Sequence, residues 1–199
     1  MPRRTSHGGF ISPDRKELHM ALAEDLALLV RQEEVLQFKH FDEDVAWQLG
    51  ALLQRRAEAE GWLVVIDIRR FERPLFLAAR PGVTPHNHDW IRRKCNTVQR
   101  FLCSSYRIGH QLAIDQKDLT QRYNLSPVDY ASAGGGFPIT VQGAGVIGSV
   151  AVSGLPERQD HQAIIDALCT LLGHDRAALS LAPVGKFANA KGKVVAVSG

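Results

Sequence analysis

No stretch of this 199-residue chain stays apolar for the ~18 residues that a membrane-spanning helix needs, which argues against an integral membrane protein. The basic N-terminus, MPRRTSHGGF, has no apolar stretch behind it, so no secretory leader is expected. Cysteine is scarce. Cys95, Cys103 and Cys169 are the three present, none in a CxxC pair, and an odd number cannot close a disulfide framework. The expectation is a reduced, cytoplasmic protein. Zinc-finger spacing, an RNA-binding signature and an arginine-rich tail are also missing, so nucleic acid is not an expected partner.

What is present describes one ordinary domain: 45% of residues are hydrophobic and 23% charged, enough to bury a core at this length. The net charge of +3 conceals an asymmetry. Residues 14–60 hold eleven acidic against six basic side chains, whereas residues 69–100 hold eight basic against two acidic. Such a basic stretch either attracts a phosphate or carboxylate, or is neutralised by acidic helices of the same fold or of a neighbouring subunit.

Residues 1–13 read as a loose arm, 14–175 as the domain and 176–199 as a tail rich in small residues and lysine. Leu18, Leu22, Leu26, Leu29 and Val30 recur at helical spacing, with Asp14 as a cap or first-turn acid. A second helix starts near Asp42, buries Val45, Leu49, Leu52 and Leu53, and ends at Gly61. WLVVIDIRR and PLFLAAR, separated by FERP, predict a hairpin. A helical stripe returns in Ile91, Cys95, Val98 and Leu102, and Gly109 through Gln121 breaks it. FPITVQ and GVIGSVAVSG predict a second hairpin turning at GAG, and Glu157 to Leu172 a closing helix with Ile164, Ile165, Leu168, Leu171 and Leu172 inside. Helices flanking two hairpins mean an α+β fold with an antiparallel sheet.

Glycine marks the most distinctive segment, GGGFPITVQGAGVIGSVAVSG. Gly134, Gly135 and Gly136 allow a positive-φ turn or a close approach of chain or ligand, and Gly148 suggests a bulge or a tight contact. Gly143, Gly145 and Gly148 match GxGxxG, yet that motif must open a helix, and these glycines run into a strand. A nucleotide loop is excluded.

The run GGGFPITVQGAGVIGSVAVSGLPERQDHQAI resembles the C-terminal signature of the HbpS-like, or "haem-degrading domain", family that includes the GlcG type. DWIRRKCNTVQRFLCSSYRIG resembles a bacterial and fungal branch of it, through Trp90, Arg92, Arg93, Lys94, Arg100, Phe101, Ser104, Ser105, Tyr106 and Gly109, and the strand with Asp67 fits as well. The likeness spans about residues 15 to 173. It implies a profilin-like α+β fold with about five antiparallel strands, and a homo-oligomer. Members are linked to haem, to cobalamin-related proteins and to metabolic operons, so haem enters as a cofactor through the resemblance alone. Two departures stand out: Ala133 replaces a His usual before the Gly-Gly, and Leu102 a usual Gly.

The residues themselves offer few candidates for chemistry. His86, His88 and Asp89 form one His/carboxylate cluster, in PHNHDW. Their spacing does not put both imidazoles on one helical face, so no metal site is expected and Asn87 or Asp89 reads as a helix cap. His161 reads as a surface residue. Arg93 and Arg100, seven apart on one helical face, would hold an anion with Trp90, Ser104, Ser105, Gly134 and Gly135 around it; the alternative is an inter-subunit ion pair. Neither serine sits in a GxSxG elbow, and the cysteines read as core.

The expected function is therefore an oligomeric small-molecule-binding protein with an anionic ligand, haem or another tetrapyrrole being the named candidate. One alternative is a cofactor-independent enzyme on a carboxylated or carbonyl metabolite, with Asp89 or Tyr106 moving protons. Another is an assembly protein with a basic docking helix.

Overall fold

The β-branched run before Asp67 sits at the centre of a four-stranded antiparallel sheet. The computed structural model describes residues 15–182. Its elements are α1 (Arg15–Val35), α2 (Glu43–Ala59), β1 (Val65–Arg70), β2 (Arg73–Ala79), α3 (Pro85–Phe101), α4 (Ser105–Ile114), α5 (Leu119–Tyr123), β3 (Gly136–Val141), β4 (Gly145–Ser153), α6 (Glu157–Leu172) and α7 (Arg176–Leu179). The sheet order is β2-β1-β4-β3. Against an expectation of about five strands, the described residues form four, and Phe38 adds a single parallel bridge to Val141 at the β3 edge.

Period-two alternation sends Ile66 and Ile68 of β1, and Val150 and Val152 of β4, to one face, where they meet Leu49 and Leu53 of α2 and Ile164, Ile165 and Leu168 of α6. The opposite face carries Val65 and Ala151, which α3 covers with Ile91 and Cys95. Asp67 shares that face with Arg69, two residues on, and takes a bidentate bond from it at 2.6 and 2.7 Å. A helix on each side of the sheet thus accounts for both hydrophobic stripes read from the sequence. Asp42 caps α2 by accepting from the Val45 amide, as its position predicts.

The local readings need four corrections. Gly109 does not break a helix but lies inside α4, because a β-carbon there would collide with the Ser132 carbonyl oxygen. The cap of α3 is Thr84, whose amide donates to Asn87 Oδ1 at 2.9 Å. His161 is fully buried. The boundary expected at 175 falls inside packed structure, since α7 follows it, Leu179 and Leu181 are buried, and Gln32 of α1 donates to the Leu179 carbonyl at 2.7 Å. Residues 1–14, with the expected arm and Asp14, and residues 183–199 of the expected tail lie outside the described residues. No described helix is long and apolar enough to cross a membrane.

Gly148 makes a close approach, its missing side chain facing the Arg69 carbonyl, and the register slips by one between Ile139 and Thr140. The three-glycine run does the same against α6. A β-carbon on Gly134 would strike the Glu157 carbonyl, and one on Gly135, at φ 101°, would lie 2.7 Å from Asp160 Cβ and from Lys94 Nζ. These glycines let the chain pass between α3 and α6.

Candidate functional site

That passage places Lys94 against Asp160. Both side chains are about 3% exposed, and Lys94 Nζ donates to Asp160 Oδ2 at 2.8 Å and to the Val152 carbonyl at 2.8 Å. The other carboxylate oxygen of Asp160 accepts from the Leu155 amide at 2.9 Å, pinning the loop between β4 and α6. Burial pushes the Asp160 carboxyl above its usual range, and Lys94 pulls it back down. An ammonium carries three donors, and these bonds use two of those of Lys94.

The pair forms the floor of a cavity of about 580 Å³, walled by His86, Asn87 and Trp90 from the start of α3, Ala133 before the glycines, Ser153 to Pro156 after β4, and Glu157. Its size lies within the ~300–1,000 Å³ usual for small-molecule sites. The sequence candidate Trp90 stands on the wall, as does Ala133, the departure from the family pattern. Lys94, Asp160 and Ser153 complete it. Lys94 was legible only as one more charge of a basic patch, and nothing in the local pattern marks Asp160, whose partner is 66 residues away.

The indole of Trp90 is fixed on two sides. Its Nε1–H donates to His86 Nε2 at 2.9 Å, and the Arg93 guanidinium lies 4.0 Å from the ring centroid. Arg93 also donates to Asp89 Oδ2 at 2.8 Å. Asp89 is held below the usual carboxylate range, chiefly by its bond from Arg92. Arg92 bonds Asp129 as well, at 3.0 Å. Much of the basic stretch is neutralised this way within the chain: Arg69 by Asp67, Arg73 by Glu43, and Lys94 by Asp160.

The other sequence candidates stand apart from the cavity wall. Arg100 is exposed two turns beyond Arg93. Ser104 caps α4 by accepting from the Arg107 amide. Ser105 donates to the Ala133 carbonyl at 2.5 Å and accepts from the Gly136 amide at 3.0 Å, so it holds the glycine run in shape. Gly134 and Gly135 lie behind the Lys94–Asp160 pair. Tyr106 is buried between His110 and His161, with ring centroids at 4.4 and 5.2 Å, and burial pushes its hydroxyl up to about 12. His88 is exposed on the first turn of α3. Among the described residues no cluster of three or more His, Cys, Asp or Glu could hold a metal ion.

The second polar cluster joins α1 to the body. His161 Nε2 faces Gln32 Oε1 at 2.8 Å, and Gln32 spends its own NH₂ on Leu179. His161 therefore carries its proton on Nε2, and its buried Nδ1 has no hydrogen-bond partner. Burial pushes this imidazole down to about 3. Nearby, Arg158 donates to Asp25 at 2.6 and 3.1 Å, and His110 lies 3.4 Å from the same carboxylate.

Comparison with known proteins identifies the scaffold. A chain of 52% identity over 162 residues, the UPF0303 protein of Acidobacterium capsulatum, covers 81% of this chain and 98% of its own length. The crystal structure of the Ybr137w protein superposes with a TM-score of 0.71 at 23% identity, over 82% of this chain and all of that one. A haem complex of PduOC superposes with a TM-score of 0.57 at 16% identity, over 68% of this chain and 99% of that one. The family model described as haem degrading protein HbpS-like matches residues 41–169; the chain belongs to the HbpS-like family.

Proposed function

We propose that this protein binds a small organic anion with a flat ring, in the cavity between the start of α3 and the β4–α6 loop. The observation that carries this reading is the buried ammonium of Lys94 on the floor of a cavity walled by Trp90. An anionic group meets that ammonium, and a ring system lies along the indole. Asn87 supports it, because its carbonyl is spent on Thr84 and its NH₂ is left as a donor. Homo-oligomerisation belongs to the same proposal, as does a cytoplasmic location, which suits three buried, unbridged cysteines.

Haem is the ring anion that the PduOC complex brings to mind, and the residues here do not fit its iron. His86 is the one imidazole on the wall. Its Nε2 accepts the Trp90 N–H, so iron cannot take that nitrogen while the bond stands. Ligation through Nδ1 would put the proton on Nε2, donor against donor. The expected binding is therefore of the ring and its carboxylates, with no iron–histidine bond.

Titration with haemin and with iron-free protoporphyrin, followed by tryptophan fluorescence, tests this. Both are expected to saturate near one per chain with similar affinity, and Ala133→Trp, which fills the cavity, abolishes both. Haemin binding that vanishes in His86→Ala while protoporphyrin fails to bind would replace this reading with iron ligation. Non-saturating quenching of the wild type, or saturation untouched by Ala133→Trp, would overturn the cavity itself.

A further inference from the structure

A second cleft, of about 480 Å³, opens on the far side of the sheet where the α1–α2 loop, the C-terminus of α6 and the β3–β4 turn converge. Its walls divide by chemistry. Val35, Phe38, Val45, Leu171 and Leu172 make an apolar floor, and every charged or titratable side chain on the rim is a base: Lys39, His40 and His174. The remaining lining groups are glutamine amides. No carboxylate lines the cleft.

Of the acids nearest in sequence, Glu34 and Asp44 are exposed and do not line the cleft, and three others are already engaged. Asp42 caps α2 through the Val45 amide, Glu43 pairs with Arg73, and Asp175 accepts from the Ala177 amide. Lys39, His40 and His174 form no ion pair among the described residues. That sets this rim apart from the α3 surface, where carboxylates answer the arginines.

The frame around the cleft is rigid. The Phe38 amide donates to the Thr140 carbonyl at 2.9 Å, and the Gln142 amide returns a bond to the Phe38 carbonyl at 2.9 Å, so the α1–α2 loop is stitched to the sheet edge. Gly173 and His174 both donate backbone N–H groups to the Cys169 carbonyl. Those bonds quench part of the negative field at the end of α6, which would otherwise repel an anion.

We infer that this cleft binds an aliphatic carboxylate, with the alkyl chain on Val35, Val45, Leu171 and Leu172 and the head group at Lys39, His40 and His174. An apolar trough of this volume with a small set of like-charged polar groups at one end is the arrangement an amphiphilic anion needs. The inference is independent of the cavity at Trp90.

The test is calorimetric titration of the full chain with octanoate. Saturation near one per chain is expected. Lys39→Glu weakens it by about tenfold or more, and Val45→Trp, which fills the trough, abolishes it; Ala133→Trp leaves it unchanged. Lys39 is exposed in a loop, so that variant reports on binding even if Val45→Trp fails to fold. The inference is overturned by octanoate that does not saturate, by equal affinity for octylammonium, by binding that survives Lys39→Glu, or by its loss in Ala133→Trp.

Discussion

Lys94 of α3 and Asp160 of α6 hold one another at 2.8 Å in an interior where neither is more than about 3% exposed. A buried pair contributes little net stability over an apolar pair, but breaking it leaves a lone charge in a poor solvent, at a cost of about 3–5 kcal/mol. Lys94→Met is accordingly expected to destabilise by that amount at neutral pH in urea unfolding. The deficit shrinks at acid pH, because the Asp160 carboxyl already titrates above its usual range and takes a proton once its partner is gone. Lys94→Met with Asp160→Leu regains most of the stability. A single variant as stable as the wild type would show that the pair is not buried as described.

The three thiols are inert for the same reason. Burial pushes Cys95 up to about 11 and Cys103 up to about 12, and it raises Cys169 as well. At pH 8 a thiol of pKa 11 is thiolate on the order of 0.1% of the time. Ellman's reagent should therefore find almost no reactive thiol in the native protein and three after denaturation. A single fast thiol in the native protein would contradict this packing.

Gly109 gives a test whose sign is decisive. Helix propensity alone makes Gly→Ala inside α4 stabilising by about 1 kcal/mol. The Ser132 carbonyl stands where that methyl group would go, and backbone cannot swing aside as a side chain can. Gly109→Ala is expected to destabilise by about 1–3 kcal/mol, visible as a lowered melting temperature. A raised one would mean that α4 does not press on the segment before the glycines.

The same glycine shows how far local pattern carries. The helical stripes of α2 and α6, that of α3 as far as Val98, and both hairpins were legible because their periods are set by which face is buried; Leu102, read into the α3 stripe, is instead the exposed left-handed C-cap of that helix. Gly109 was misread as a break because its role depends on Ser132, a neighbour only in the folded chain. His161 looked like a surface residue in the polar run QDHQ, although α6 buries Asp160, His161 and Asp166 along with its apolar stripe. The cavity was half visible. Trp90 and the glycines were in reach, but the carboxylate that meets Lys94 was not, since no spacing rule links positions 94 and 160.

His161 carries the pH dependence. In the unfolded chain its imidazole takes up a proton near 6.5, whereas in the folded protein burial delays this to about 3. Between those values the unfolded state binds the extra proton, so acid favours unfolding, by up to about 1.4 kcal/mol per pH unit. Above pH 6.5 the residue contributes no slope. Asp25 adds to the trend lower down: burial alone would raise its carboxyl, but the bonds from His110 and Arg158 outweigh this and bring it to about 2, so its contribution is lost below the ordinary carboxylate range. Replacing His161 by Phe removes the first of these and leaves the second. The wild type is therefore expected to lose stability relative to His161→Phe as pH falls from 6.5 to 4, with the two curves parallel above 7. Curves that stay parallel throughout would mean that His161 is protonated in the folded protein. The added proton would sit on Nδ1, so that nitrogen would have to find an acceptor or water, while the Nε2–H bond to Gln32 that holds α1 to the body stands.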